Sequence, residues 1–208
     1  MERAGSFFKA ERYNLLSMSE TETEKKEEKQ ETFLEATWDF LKTLMVSMIV
    51  VFSITTFIAR PIQVIGSSMF PTLQPNAIGL ANILGRRMNG LKRFDIAIIY
   101  INEKKDYLVK RVIGLPGETI SYEDGVLYVN GEATEEPFFD ETYRNGYAGE
   151  FMTDVSPITL GEGEYYCLGD NRPSSRDSRY YGPFRDDMIV AKGALILWPF
   201  SEFGVKSW

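Results

Sequence analysis

The spacing of hydrophobic residues changes near residue 60, and the change divides the chain. Thr43 to Ala59 (TLMVSMIVVFSITTFIA) is apolar on every face, carries no charge and is bracketed by Lys42 and Arg60. About 17 to 20 apolar residues cross a hydrocarbon core roughly 30 Å thick, and Phe40, Leu41 and the stem of Lys42 extend this run. A helix apolar all round needs lipid or a large protein core around it, and little else in this chain supplies such a core. The run lies too deep in the chain for an ordinary cleaved signal sequence, and no small-x-small site follows it. The reading is an uncleaved membrane anchor over 39–60, with Trp38 at the interface.

Beyond the anchor the pattern alternates. Pro61 to Ile65, Asp95 to Ile101, Tyr107 to Ile113 and Ala191 to Trp198 read as strands, and Ile120 to Gly131 as a hairpin turning at Asp124-Gly125. Residues 132–157 are polar, aromatic and irregular. The fold class predicted is mainly β, a domain over 61–208 carried on one helix, preceded by a polar tail over 1–38. Glu20 to Glu31 is almost entirely Glu, Lys, Thr and Gln, a composition that buries too little apolar surface to offset chain entropy.

Composition then narrows the chemistry. A net charge of −7 argues against a nucleic-acid partner. The chain has one cysteine and no histidine, which excludes an internal disulfide and argues against zinc; no metal or other cofactor is expected. Cys167, inside Tyr-Tyr-Cys-Leu, reads as a buried strand residue.

Without histidine, a serine nucleophile must lose its proton to a carboxylate, a tyrosine or an uncharged lysine. Ser68 sits in the turn Gly66-Ser-Ser-Met-Phe-Pro-Thr72, and Lys110 lies on the strand Tyr107 to Ile113. Alternation places Lys110 with Leu108 and Val112, and Arg111 with Val109 and Ile113 on the opposite face. An ordinary lysine is neutral in about one molecule in two thousand at pH 7, so a base here needs burial to lower its pKa by about 2 to 3 units. The strand pattern alone suits a plain surface lysine equally, and Gly66-Ser67-Ser68 alone suits a plain turn. Ser6-Phe-Phe-Lys9 matches an S-x-x-K pattern but lacks the partner motifs that would give it meaning.

Three runs in order remove that ambiguity. Ser68 to Leu73, Tyr107 to Gly117 and Gly169-Asp-Asn-Arg-Pro-Ser-Ser-Arg-Asp-Ser-Arg179 resemble successive signature boxes of the type I signal peptidases, the likeness covering about 59–199. The resemblance implies a membrane-anchored Ser/Lys endopeptidase with a signal-peptidase-type β catalytic domain. Its partners would be secretory preproteins carrying small residues at −1 and −3, together with the lipid bilayer. It implies Ser68 as nucleophile, Lys110 as general base, Ser175 orienting the lysine, and Asp177 with Arg179 as a supporting ion pair. Asp170 and Arg172 match neighbouring structural positions. Val64, Ile65, Met69, Leu73, Leu108 and Val109 match the lining of the substrate pockets, and 132–157 matches a variable insertion. Gly66 replaces a serine that in some relatives gives a second oxyanion donor, and resembles the Gram-positive branch. The Ser68 N–H is then the main donor.

The implied location is the bacterial plasma membrane, crossed once, with the N-terminus cytoplasmic and the catalytic domain outside. Lysines precede the span and arginines follow it, so loop charge leaves the orientation undecided. Nine residue steps from Ala59 keep Ser68 within roughly 30 Å of the bilayer surface. Two other classes fit worse. A self-cleaving Ser/Lys repressor needs a DNA-binding domain, and an inert membrane scaffold has no use for both Ser68 and Lys110.

Overall fold

The computed structural model describes residues 34–206. Most of the polar tail, the Ser6 to Lys9 match and Trp208 lie outside them. Two compact units divide at Phe52 and Ser53.

The first helix, α1, is Leu34–Ile58, and none of its apolar stretch is buried within the protein. At about 1.5 Å per residue its 25 residues exceed the length that a hydrocarbon core requires. Its last turn, Ile54–Ile58, is a π-helix closed by the Ala59 N–H on the Ile54 carbonyl. Ala59 and Arg60, read from sequence as the end of the anchor, instead open a strand.

The β unit comprises twelve strands: β1 Ala59–Gln63, β2 Ile78–Asn82, β3 Ile96–Ile101, β4 Asp106–Gly114, β5 Thr119–Glu123, β6 Val126–Val129, β7 Glu132–Thr134, β8 Val155–Thr159, β9 Glu164–Leu168, β10 Phe184–Arg185, β11 Ile189–Trp198 and β12 Gly204–Lys206. The larger sheet runs β1-β2-β11-β3-β4-β9-β10 with β12 on β11, and the smaller runs β7-β6-β5-β8. Asp124-Gly125 turns the predicted hairpin, both residues at positive φ (50° and 76°). Asn130-Gly131 repeats the device at 53° and 84°, adding β7 as a third strand. The segment 132–157, read as irregular, therefore holds β7, the short helix α2 (Glu141–Asn145) and the start of β8. Those pieces are three to five residues long, too short for a periodicity to register.

The strand β4 is the structural hinge of the site. Its residues from Lys110 to Gly114 are all buried. Ile113 joins Ile120, Tyr122, Leu127 and Tyr166 in the core against the smaller sheet. Val112 joins Ala97, Ile99, Cys167 and Phe184 in a separate core cluster, so β4 is packed on both faces. Its neighbour β9 pairs only along the C-terminal half, with Arg111 opposite Leu168 and Val112 opposite Cys167. That register delivers the chain after Leu168 directly beside Lys110.

Candidate active site

Strand β1 ends at Gln63, two residues before the sequence pattern suggests, because Val64 leaves the ladder to hydrogen-bond with Ala77 and Asn76. The chain then turns through Gly66, whose φ of +81° is left-handed and suits glycine. Nothing in the protein lies within 4 Å of where a Gly66 side chain would begin, so conformation rather than internal crowding sets this residue. Met69 and Leu73, each 1% exposed, anchor the turn in a core cluster with Val64 and Ile96. Ser68 stays half-buried at its outer edge.

Ser68 and Lys110 line one cleft of about 270 Å³, together with Val64, Ile65, Leu108 and Val109. Four of the six residues matched to the substrate pockets therefore surround it. Met69 and Leu73 do not; they support Val64 and Val109 from within the core. At the far end, Arg60 donates to the Tyr107 hydroxyl at 2.7 Å.

Lys110 is 2% exposed, and no carboxylate pairs with it among the described residues. Burial drives its pKa from 10.5 down to about 8, against the pull of Asp177 and Asp170, while Arg179 pushes it lower. About a tenth of such amines are neutral at pH 7. Leu108 and Val112 share its side of β4, as alternation requires.

The chain after β9 is built around Gly169. Its N–H donates to Asp177 at 3.0 Å and its carbonyl accepts from Arg172 Nε at 3.1 Å. A Cβ at Gly169 would stand 2.2 Å from Ser175 Oγ and 2.5 Å from the Ser68 carbonyl oxygen, so any larger residue would separate the two loops. Asn171 crosses the same gap, its N–H on the Ser68 carbonyl at 3.0 Å and its side-chain amide on the Ser67 carbonyl at 3.1 Å.

Three ion pairs brace this loop. Arg111 grips Asp170 with two bonds, of 2.8 and 2.6 Å, both side chains being fully buried. It also donates to the Phe94 carbonyl and to Thr72 of the serine turn. Arg172 pairs with Glu136, which also accepts from the Tyr122 hydroxyl. Asp177 and Arg179 pair directly at 2.9 and 2.8 Å. Burial pushes the Asp177 carboxyl up, but Arg179, the Gly169 N–H and Ser175 outweigh it and hold the pKa below the ordinary value.

Ser175 makes no hydrogen bond to Lys110 among the described residues. Its buried Oγ closes no hydrogen bond of ordinary geometry, although it stands near enough to Asp177 to help keep that carboxyl low. Cys167 is fully buried, and burial pushes its thiol pKa up, which leaves it inert as a nucleophile. Sequence reasoning missed the partners of Asp170 and Arg172. Arg111 was legible as a residue facing away from Lys110, but nothing in the sequence ties it to Asp170 or Arg172 to Glu136 across tens of residues.

The β unit thus carries a cleft lined by a half-buried serine and a buried lysine. The family described as "Signal peptidase, peptidase S26" matches residues 37–198, and the chain belongs to that family. Signal peptidase IB of Staphylococcus aureus is 34% identical over 176 residues, covering 79% of this chain and 91% of that protein. Signal peptidase I of Bacillus caldolyticus is 38% identical over 167 residues, with 77% and 91% covered. A crystal structure of a signal peptidase I from Enterococcus faecalis V583 shares 33% identity, with a TM-score of 0.46 over 49% of this chain and 95% of that one.

Proposed function

We propose that the protein removes signal peptides from secretory preproteins, with Ser68 as nucleophile and Lys110 as general base. One observation carries the reading: a lysine buried with no paired carboxylate among the described residues, its pKa lowered to about 8, in the same cleft as the half-buried Ser68. Neutral Lys110 takes the Ser68 proton as Oγ attacks the scissile carbonyl, and the Ser68 N–H holds the resulting oxyanion. The ammonium then protonates the leaving amine as the C–N bond breaks. Water, deprotonated by Lys110, hydrolyses the acyl-enzyme. Ser175, its hydroxyl uncommitted, steadies the ammonium while it exists, and the Asp177–Arg179 pair holds Ser175 in place.

Backbone geometry supports an extended substrate. Val112 directs its N–H to Asp95 on the β3 side. Ladder directions alternate, so Val109 directs its N–H to the edge that β9 leaves unpaired, while the Tyr107 N–H is taken by the Asp106 carboxylate at 2.8 Å. Gln63 likewise faces the outer edge of β1. A peptide strand fits between these two edges. Its residues at −1 and −3 then point the same way, into shallow pockets walled by Val64, Ile65, Leu108 and Val109, which suits alanine-sized side chains.

The helix α1 serves as the membrane anchor in this reading, with the tail over 1–38 cytoplasmic and the β unit outside, at the plasma membrane. Protease added to intact cells should then leave the tail intact, and its digestion would reverse the orientation. For the chemistry, detergent-solubilised protein is incubated with a preprotein and the cut mapped. Ser68→Ala and Lys110→Ala should each abolish cleavage after the small-x-small site. Activity within tenfold of the parent in either variant would remove that residue from the mechanism.

A further inference from the structure

The peptide unit between Ser67 and Ser68 has two ends with different partners. Its N–H end is the oxyanion donor in the reading above, and no described residue accepts from it. Its carbonyl end accepts twice, from the Phe70 N–H at 3.1 Å within the turn and from the Asn171 side-chain amide at 3.1 Å from across the gap. Asn171 also binds the next carbonyl, that of Ser68, through its own N–H at 3.0 Å. One residue therefore fixes two consecutive peptide planes on either side of the nucleophile.

We propose that Asn171 is a positioning residue for the oxyanion, setting the Ser67–Ser68 peptide plane and strengthening its N–H through donation to its carbonyl. The physical basis is cooperativity. A donor placed on the oxygen of an amide draws electron density from its nitrogen, so the N–H becomes a better donor where charge develops. The chain has particular use for this. Gly66 offers no hydroxyl to share the oxyanion, so the Ser68 N–H carries the developing charge without a side-chain donor from that position. The Asn171 backbone N–H is kept by every replacement except proline, so the side-chain bond can be removed on its own.

The inference rests on the Ser68 reading, and the test separates the two. kcat and KM are measured on a preprotein for Asn171→Ala, Asn171→Asp and Asn171→Gln. Inhibition is measured with a peptide aldehyde, which forms a tetrahedral oxyanion, and with the corresponding product peptide, which does not. Asn171→Ala should lower kcat about tenfold and weaken the aldehyde by the same factor, a fraction of the loss expected for a deleted donor. KM, product-peptide affinity and the midpoint of the pH profile should stay within twofold of the parent. Asn171→Asp keeps shape and backbone contacts but cannot donate, so it should lose at least as much even if the alanine variant folds poorly; Asn171→Gln should regain part. A kcat within twofold of the parent for Asn171→Asp, or a loss confined to KM with aldehyde affinity unchanged, would overturn the role of Asn171. A Ser68→Ala variant active within tenfold would instead overturn the underlying reading.

Discussion

Lys110 and Arg111 are neighbours in one strand, both cationic residues and both buried, yet the protein treats them in opposite ways. Arg111 donates two bonds to the Asp170 carboxylate, one to a backbone carbonyl and one to a threonine hydroxyl, and lies over the face of the Phe138 ring at 3.9 Å. Lys110 is buried with no paired carboxylate among the described residues, and Asp177 and Asp170 act on it only from a distance. Guanidinium cannot lose its proton in a protein, so interring it demands full compensation; a lysine can respond by shedding its charge. Alternation sends the two side chains to opposite faces, where one supports structure and the other is available for chemistry.

The sharpest way to break this contrast is to make the two positions alike. Lys110→Arg puts a permanent charge where the proposed base must be neutral, and activity should fall at least about a thousandfold, within the range that general-base losses span. Preprotein cleavage under saturating substrate measures this. Retention of a tenth of the parent rate would show that position 110 does not need to deprotonate.

Removing the compensation around Arg111 tests the other half. Asp170→Ala leaves a buried guanidinium without its carboxylate and should destabilise the β unit by about 3 to 5 kcal/mol. Denaturant unfolding measures it, and a loss under about 1 kcal/mol would mean that water or a shifted side chain replaces Asp170.

Lys110→Met should do the reverse and stabilise the fold. At pH 7 the folded chain carries a mostly protonated amine in a dry site, and the unfolded chain does not. The folded pKa lies below the unfolded one, so the unfolded state holds more protons between pH 8 and 10.5, and parental stability rises across that window. A shift from 10.5 to about 8 corresponds to about 3 kcal/mol, an upper figure for what methionine gains at neutral pH. The gain should vanish by pH 11. Equal stability of the two proteins at pH 7 would contradict the burial cost.

The same contrast marks what the sequence could show. The strand of Lys110, the opposite facing of Arg111, the Asp124-Gly125 turn and the buried Cys167 follow from local spacing and turn chemistry, and the structure has each of them. Ser68 and Lys110 stand out as the proposed nucleophile and base only because histidine is absent and three runs resemble a family. What spacing could not show is long-range. The pairing of Glu136 with Arg172 joins a stretch with no periodicity to a distant loop. The need for glycine at 169 comes from a carbonyl about a hundred residues away. Met69 and Leu73 resemble pocket residues in sequence but pack in the core with Val64 and Ile96, where they anchor the turn from beneath.

The smallest effect concerns the tuning of Lys110. With Lys110 as base, kcat/KM should rise with pH through a midpoint near 8, the direction expected when the active form is the deprotonated amine. Burial is the dominant influence and Asp177 the largest opposing one, holding the proton on. Asp177→Asn removes that negative charge while Arg179 remains and pushes the pKa further down. Both changes favour the neutral amine, so the midpoint should move to lower pH, by less than the displacement that burial itself produces. The maximal rate should fall at the same time, because the brace on Ser175 and the bond to Gly169 weaken. Rate loss and midpoint shift are therefore read separately, from the plateau and from the acidic limb. Arg179→Gln should move the midpoint the other way, since it removes a cation and leaves Asp177 to act alone. If both variants shifted the midpoint in the same direction, the acidic limb would belong to some group other than Lys110, and the contrast with Arg111 would lose its chemical meaning.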